Sequence, residues 1–251
     1  MKFCRVSWED KICFALEEGD HLTLVEGNPF LQWRKTNLHL ALEDARFHPP
    51  SCPSKIIAVG RNYRDHAAEM GNELPKEPLL FLKPPSALIG HEAEIVYPPQ
   101  SKRVDYEGEL GVVIGKHVAR LTDSASARAA VFGYTIVNDV TARDLQKADV
   151  QFTRAKGFDT FCPVGPFIET ELDPDNVVVE TCLNGEQRQH ASTATLAFKV
   201  DTLVQYISNI MTLEPGDLIS TGTPAGVGPM NSGDIVEVKI DSIGTLRNRV
   251  L

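Results

Sequence analysis

Three acidic side chains are spaced so that a cation could join them. Tyr106-Glu107-Gly108-Glu109 runs into Leu110-Gly111-Val112-Val113-Ile114, an apolar segment that reads as a buried strand. Side chains two apart on a strand share a face, so Glu107 and Glu109 point the same way with a glycine between them. Asp139 follows a second apolar run, Tyr134 to Val137, at a strand end where loops gather functional groups. Carboxylates drawn together repel one another unless a hard divalent cation lies among them. No Cys or His adjoins these acids, so the donors are all oxygen and favour Mg²⁺, with Mn²⁺ or Ca²⁺ as alternatives, over Zn²⁺. A plainer arrangement fits the same residues: two glutamates on the solvated face of an edge strand, and Asp139 capping a helix at Thr141.

Acid–base chemistry has one local candidate. Tyr63 to Met70 has helical character and ends at Gly71-Asn72, which places His66 and Glu69 at i and i+3 where they can meet. A carboxylate beside an imidazole fixes its tautomer and raises its basicity, as a general base requires, although an exposed pair of no consequence has the same spacing. The proline-bearing stretch 73–78 behind it suits a mobile lid. Lys156, in the loop 154–163, can bring positive charge to a developing enolate or stand as an ordinary surface lysine. The loop Gly222-Thr223-Pro224-Ala225-Gly226-Val227-Gly228 lacks the ending of a nucleotide P-loop and reads as a carboxylate cradle, with Thr223 as hydroxyl donor, or as a plain turn.

Strand patterns dominate the elements that must position these groups. Lys2 to Trp8, Lys11 to Leu16 and His21 to Val25 form a predicted meander, while residues 30–47 are ambiguous. The linker His48-Pro49-Pro50-Ser51-Cys52-Pro53 divides a small N-terminal domain, 1–53, from a larger one, 54–251. Asn184-Gly185 is a hairpin signal, and Val200, Leu203, Val204, Ile207, Ile210 and Met211 make an apolar helical stripe read as core. Few helices alternate with the strands, so the expectation is a mainly β, predominantly antiparallel fold with short helices.

Composition narrows the function. A net charge of −9 argues against a nucleic-acid surface. No apolar stretch approaches the roughly 20 residues of a membrane helix, and the N-terminus lacks a signal-peptide core, so a cytoplasmic protein without a membrane partner is expected. The five scattered cysteines contain no Cys-x-x-Cys pair and read as reduced core residues.

Taken in order, Val59-Gly60-Arg61-Asn62-Tyr63, His66 with Glu69, Phe81-Leu82-Lys83-Pro84, Asp105-Tyr106-Glu107-x-Glu109, Val137 to Asp144, Lys156-Gly157-Phe158-Asp159 and Thr221 to Gly228 resemble the fumarylacetoacetate hydrolase family. The likeness runs from about Lys55 to the C-terminus. It implies a β-roll catalytic domain, a homodimer, and Mg²⁺ or Mn²⁺ on Glu107, Glu109 and Asp139. It also implies a His66–Glu69 acid–base pair and substrate contacts from Lys156, Gln146 and Thr223. Fumarylacetoacetase itself carries a fourth carboxylate ligand where this chain has Val59, and a much longer N-terminal domain. The likeness therefore points to the short branch of acylpyruvases, oxaloacetate decarboxylases and hydroxymuconate isomerases. Its implied activity is metal-dependent C–C hydrolysis or decarboxylation of a small 2-oxo or 2,4-dioxo acid through a stabilised enolate. The alternative is a 2-hydroxyhepta-2,4-diene-1,7-dioate-type isomerase or an oxaloacetate keto–enol tautomerase.

Overall fold

Alternating apolar and polar residues between tight acidic turns make the first strands. The computed structural model describes all 251 residues, and in it β1 (Lys2–Trp8), β2 (Lys11–Glu18) and β3 (His21–Gly27) follow as an antiparallel meander. The ambiguous segment resolves as β4 (Trp33–Ala41), a mostly exposed edge strand, and the two-residue β5 (Phe47–His48). Past the linker come β6 (Ile56–Gly60), α1 (Arg64–Glu69), β7 (Leu79–Lys83), β8 (Leu88–Ile89), β9 (Glu94–Ile95), β10 (Val104–Tyr106) and β11 (Gly108–Ile114). Next is α2 (Ser124–Ala130), whose N–H of Ser126 donates to the capping Asp123 carboxylate at 2.8 Å. Then follow β12 (Val131–Asn138), β13 (Thr141–Ala142), α3 (Arg143–Ala148), α4 (Thr153–Lys156) and β14 (Cys162–Glu169). The hairpin of β15 (Val178–Leu183) and β16 (Glu186–Ser192) turns at Asn184-Gly185 and leads to α5 (Val200–Ser208). The chain ends with β17 (Leu218–Ser220), β18 (Gly228–Met230), β19 (Ile235–Ile240) and β20 (Gly244–Val250).

Twelve strands share one sheet, ordered β4-β3-β2-β1-β14-β12-β11-β17-β6-β7, with β5 on β1 and β8 on β14. The N-terminal meander therefore continues the sheet of the larger part of the chain, Lys2 lying opposite Glu169. A five-stranded sheet, β16-β15-β19-β20-β9, and a three-stranded one, β13-β10-β18, complete the β structure. Only the pairs β6–β17, β8–β14 and β9–β20 are parallel.

Period-two alternation on β11 sends Leu110, Val112 and Ile114 into a core of 27 buried residues, joined there by Val179 and Val238 of the five-stranded sheet. Val200, Leu203, Val204 and Ile207 of α5 enter the same core, each contributing about 1.5–3 kcal/mol of burial. Ile210 was expected to join that stripe but is exposed, because the helix stops at Ser208. The cysteines form no disulfide. Cys4 and Cys162 are core residues, whereas Cys52 is exposed on the linker, contrary to the reading of all five as core.

The feature that matters for chemistry is a seam between sheets. β11 and β12 pair in the twelve-stranded sheet, and their continuations β10 and β13 pair in the three-stranded one. Both strands leave one sheet for the other at the same level, at Glu107 on one and at Asp139-Val140 on the other.

Candidate metal centre and its cavity

Glu107 and Glu109 do not lie on one continuous strand, as the spacing suggested, because the chain breaks at Glu107. They nonetheless converge, and with Asp139 they form a buried group whose ligand oxygens lie within 4.8 Å of one another. Backbone bonds lock the seam: the N–H of Asp139 donates to Glu107 O at 2.8 Å, and the N–H of Glu107 donates to Asn138 Oδ1 at 2.9 Å. Gly108 is required by close approach, since a Cβ there would come 2.1 Å from Thr181 Oγ1. Its N–H donates to Gln189 Oε1 at 3.0 Å, tying the seam to the five-stranded sheet.

Cations hold two of the three acids. Lys156 Nζ donates to Glu107 Oε2 at 2.7 Å and to Asp139 Oδ2 at 2.5 Å. Lys83 Nζ donates to Asp139 Oδ1 at 2.6 Å and to Lys156 O at 2.5 Å. Arg143 reaches Glu107 Oε1 through Nη2 at 2.5 Å, Asp105 Oδ2 through Nε at 2.9 Å and Gln146 Oε1 through Nη1 at 2.6 Å. Glu109 instead accepts from neutral donors, the Ser220 hydroxyl at 2.5 Å and the Gly222 N–H at 2.7 Å.

This asymmetry sets the ionisation. Burial alone would raise Glu107, but Lys156 and Arg143 outweigh it and hold the carboxyl well below the usual carboxylate range. Burial, then the charges of Asp139 and Glu107, push Glu109 up to about 8. Lys156 loses from burial and gains more from Asp139 and Glu107, so its pKa rises and the ammonium stays charged. A buried carboxyl without a cationic partner, beside two charged ones, is where one more positive charge stabilises most. The all-oxygen donor set fits a hard divalent ion.

A pH dependence follows. Below about pH 8 an entering ion must displace the Glu109 proton, so Mg²⁺ affinity should rise about tenfold per pH unit toward 8 and level off above it. Titration calorimetry in two buffers of different ionisation heat checks this. Flat affinity from pH 6 to 9 with no proton released would rule it out.

The acid–base candidates face the same centre. His66 Nδ1 lies 3.2 Å from Glu69 Oε2, and Glu69 Oε1 accepts from the Gly226 N–H at 3.0 Å. Asn62 anchors the entry to α1: its Nδ2 donates to Phe198 O at 3.0 Å and Thr221 O at 2.8 Å, and its Oδ1 accepts from the Phe198 N–H at 2.7 Å. Gly222, at φ +103°, lies so close that a Cβ would come 2.8 Å from Asn62 Cβ.

His66, Glu107, Glu109, Asp139, Gln146, Lys156 and Thr223 all line one cavity of about 210 Å³, with Glu69 behind His66. Lys156 sits at the end of α4 rather than in a loop, and is buried rather than at the surface, 5.1 Å from the centroid of the Phe81 ring. The 222–228 loop does cradle carboxylates, but they are the protein's own: Glu109 at Gly222 and Glu69 at Gly226. Thr223 is placed differently from the expected ligand donor, since its hydroxyl donates to Gly108 O at 2.9 Å and accepts from Gln189 Nε2 at 2.8 Å. Gln146 accepts from Arg143 and keeps its amide NH₂ as the donor for a ligand. Sequence reading assigned no role to Lys83, Arg143, Asp105, Ser220 or Gln189. Lys83 had one signal, a charge closing an apolar strand just before Pro84-Pro85.

A β-roll scaffold bearing a buried three-carboxylate centre beside a His–Glu pair defines an enzyme of the fumarylacetoacetate hydrolase type. The chain belongs to that family: the family model described as fumarylacetoacetate (FAA) hydrolase C-terminal matches residues 55–251, and one described as Rv2993c-like, N-terminal, matches residues 1–50. Over 258 residues the chain is 43% identical to the oxaloacetate tautomerase YisK of Bacillus subtilis, covering 94% of this chain and 85% of that protein. The 2-hydroxyhepta-2,4-diene-1,7-dioate isomerase of Mycobacterium marinum superposes with a TM-score of 0.93 at 42% identity, covering 100% of this chain and 98% of that one. A fumarylpyruvate hydrolase from Pseudomonas aeruginosa, solved with Mn²⁺ and pyruvate, gives 0.75 at 33% identity over 82% and 91% of the two chains. No helix here is long and apolar enough to cross a membrane.

Proposed function

We propose that this protein is a divalent-metal-dependent enzyme that enolises a small 2-oxo acid, acting as a keto–enol tautomerase or isomerase. The observation that carries the reading is the opening of the Glu107–Glu109–Asp139 centre and of His66 into one cavity. Glu107, Glu109 and Asp139 would hold a divalent cation, Mg²⁺ or Mn²⁺, whose positive charge would lower the cost of an enolate. The residues of the chain do the rest. Glu69 holds His66 Nδ1, which leaves Nε2 to take the proton from C3 of the substrate; the C3–H bond breaks and its electron pair moves toward the 2-oxo oxygen. His66 returns that proton to oxygen for a tautomerase, or to a more distant carbon of a conjugated acid for an isomerase. Lys156 keeps its ammonium charge beside the developing negative charge, and the Gln146 amide offers a hydrogen bond.

Two long matches support this choice, one named a tautomerase and the other an isomerase. Hydrolysis or decarboxylation of an acylpyruvate or oxaloacetate is the second reading, favoured by the hydrolase solved with Mn²⁺ and pyruvate, because the same enolate serves it. Purified protein with Mg²⁺ should accelerate the keto–enol exchange of oxaloacetate, followed by ultraviolet absorbance, without forming pyruvate beyond the background rate. Pyruvate from oxaloacetate or acetylpyruvate at the rate of proton exchange would install the second reading instead.

A further inference from the structure

We infer that Gln189 is a positioning residue of the centre, acting through the 222–228 loop to hold Glu109 and the His66–Glu69 pair in fixed relation; this rests on the metal and acid–base roles proposed above. Gln189 stands on β16, whose other residues are exposed or half-buried, and it alone of the seven is buried. It does not line the cavity. An apolar side chain would fill that space at lower cost, since a buried amide must have its hydrogen bonds met. Here the oxygen and both N–H groups are engaged, and every partner belongs to the frame of the site.

Two of these bonds join a third to close a ring about Gly108. The Gly108 N–H donates to Gln189 Oε1 at 3.0 Å, Gln189 Nε2 donates to Thr223 Oγ1 at 2.8 Å, and that hydroxyl donates to Gly108 O at 2.9 Å. The N–H belongs to the peptide that follows Glu107 and the oxygen to the peptide that leads into Glu109. The ring therefore fixes both of the planar units from which the two acids hang. Gln189 Nε2 also donates to Pro224 O at 2.8 Å, which pins the loop itself. That loop reaches two different parts of the site: the Gly222 N–H donates to Glu109 Oε2 at 2.7 Å and the Gly226 N–H to Glu69 Oε1 at 3.0 Å. Gly226 has φ +100°, and a Cβ there would come 2.1 Å from O of Arg188, the neighbour of Gln189, so the loop lies directly on β16. One amide thus ties a metal ligand to the carboxylate that holds the base.

Gln189→Met keeps the volume and removes all three bonds. Calorimetry should show Mg²⁺ binding about tenfold weaker, and at saturating Mg²⁺ the kcat for oxaloacetate enolisation should fall about tenfold with KM within about twofold. The two routes are separable. In a Glu69→Ala background the substitution should cost little further kcat, because the link through Gly226 is already cut, while its Mg²⁺ loss persists. Thr223→Val opens the same ring at its hydroxyl and should weaken Mg²⁺ similarly, with Thr223→Ser restoring it; this pair decides the matter if Gln189→Met does not fold. Wild-type Mg²⁺ affinity in folded Gln189→Met or in Thr223→Val, or kcat losses that multiply in the double variant, would overturn the assignment and leave Gln189 a packing residue. A wild type that binds Mg²⁺ without enolising oxaloacetate would overturn the enolisation reading alone, since the Mg²⁺ comparison still decides Gln189. No Mg²⁺ binding by the wild type would overturn both.

Discussion

Asp139→Ala should destabilise the metal-free protein by about 3–5 kcal/mol and abolish Mg²⁺ binding. Asp139 takes one ammonium on each oxygen, Lys83 on Oδ1 and Lys156 on Oδ2, and all three side chains are almost wholly removed from solvent. Deleting the acid takes a carboxylate partner from two buried ammonium groups at once. Glu107 still partners Lys156, but Lys83 is left with carbonyl oxygens alone. Asp139→Asn preserves the shape and one acceptor oxygen, so it should lose less stability and still fail to hold the ion. Urea unfolding of the chelated protein measures the first effect and calorimetry the second. A stability loss below about 1 kcal/mol would mean that the lysines find other partners and that the charge network is not what organises the seam.

His66→Ala should lower the rate of enolisation on the order of 10²- to 10⁴-fold while leaving Mg²⁺ affinity and unfolding midpoint close to wild type. The imidazole touches none of the three carboxylates by hydrogen bond, and its one partner is Glu69, which the Gly226 N–H also holds. Removing the ring therefore removes the base without emptying the metal centre. Glu69→Gln should give a smaller loss, because the amide can still hold the ring but no longer steadies positive charge on it. Stopped-flow absorbance on oxaloacetate distinguishes these outcomes. Full activity in His66→Ala would assign the proton transfer to another group.

The strand pattern and the acids were legible in the sequence because both rest on short-range spacing. Two carboxylates around Gly108 and a third at the end of an apolar run meet in the structure, even though Glu107 sits at a break that no periodicity marks. β4 was not legible: Trp33–Ala41 is largely exposed and polar, so it forms by edge pairing with β3 rather than from a buried face of its own. The ion pairs were the larger omission: Lys83 and Arg143 were given no role, and Lys156 was expected to serve a ligand rather than to hold Glu107 and Asp139. Lys83, Arg143 and Lys156 come from a strand end and two short helices, and nothing local shows that all three turn inward toward acids 17 to 56 residues away. Long-range charge pairing has no sequence period. Thr223 shows the complementary limit, because its residue type fits a ligand contact while its hydroxyl is already engaged by Gly108 and Gln189.

The crossing of β11 and β12 into β10 and β13 divides labour between rigid and replaceable parts. The ion holders ride on a two-stranded ribbon pinned in two sheets, where a residue inserted or deleted would throw the acids out of alignment. The groups lining the far side of the cavity, Arg61, Met70, Asn72 and Phe152, stand on connections outside any strand, where exchange of a side chain leaves that ribbon undisturbed. Anyone wishing to redirect this protein toward a different acid should rewrite those connections and leave the ribbon alone.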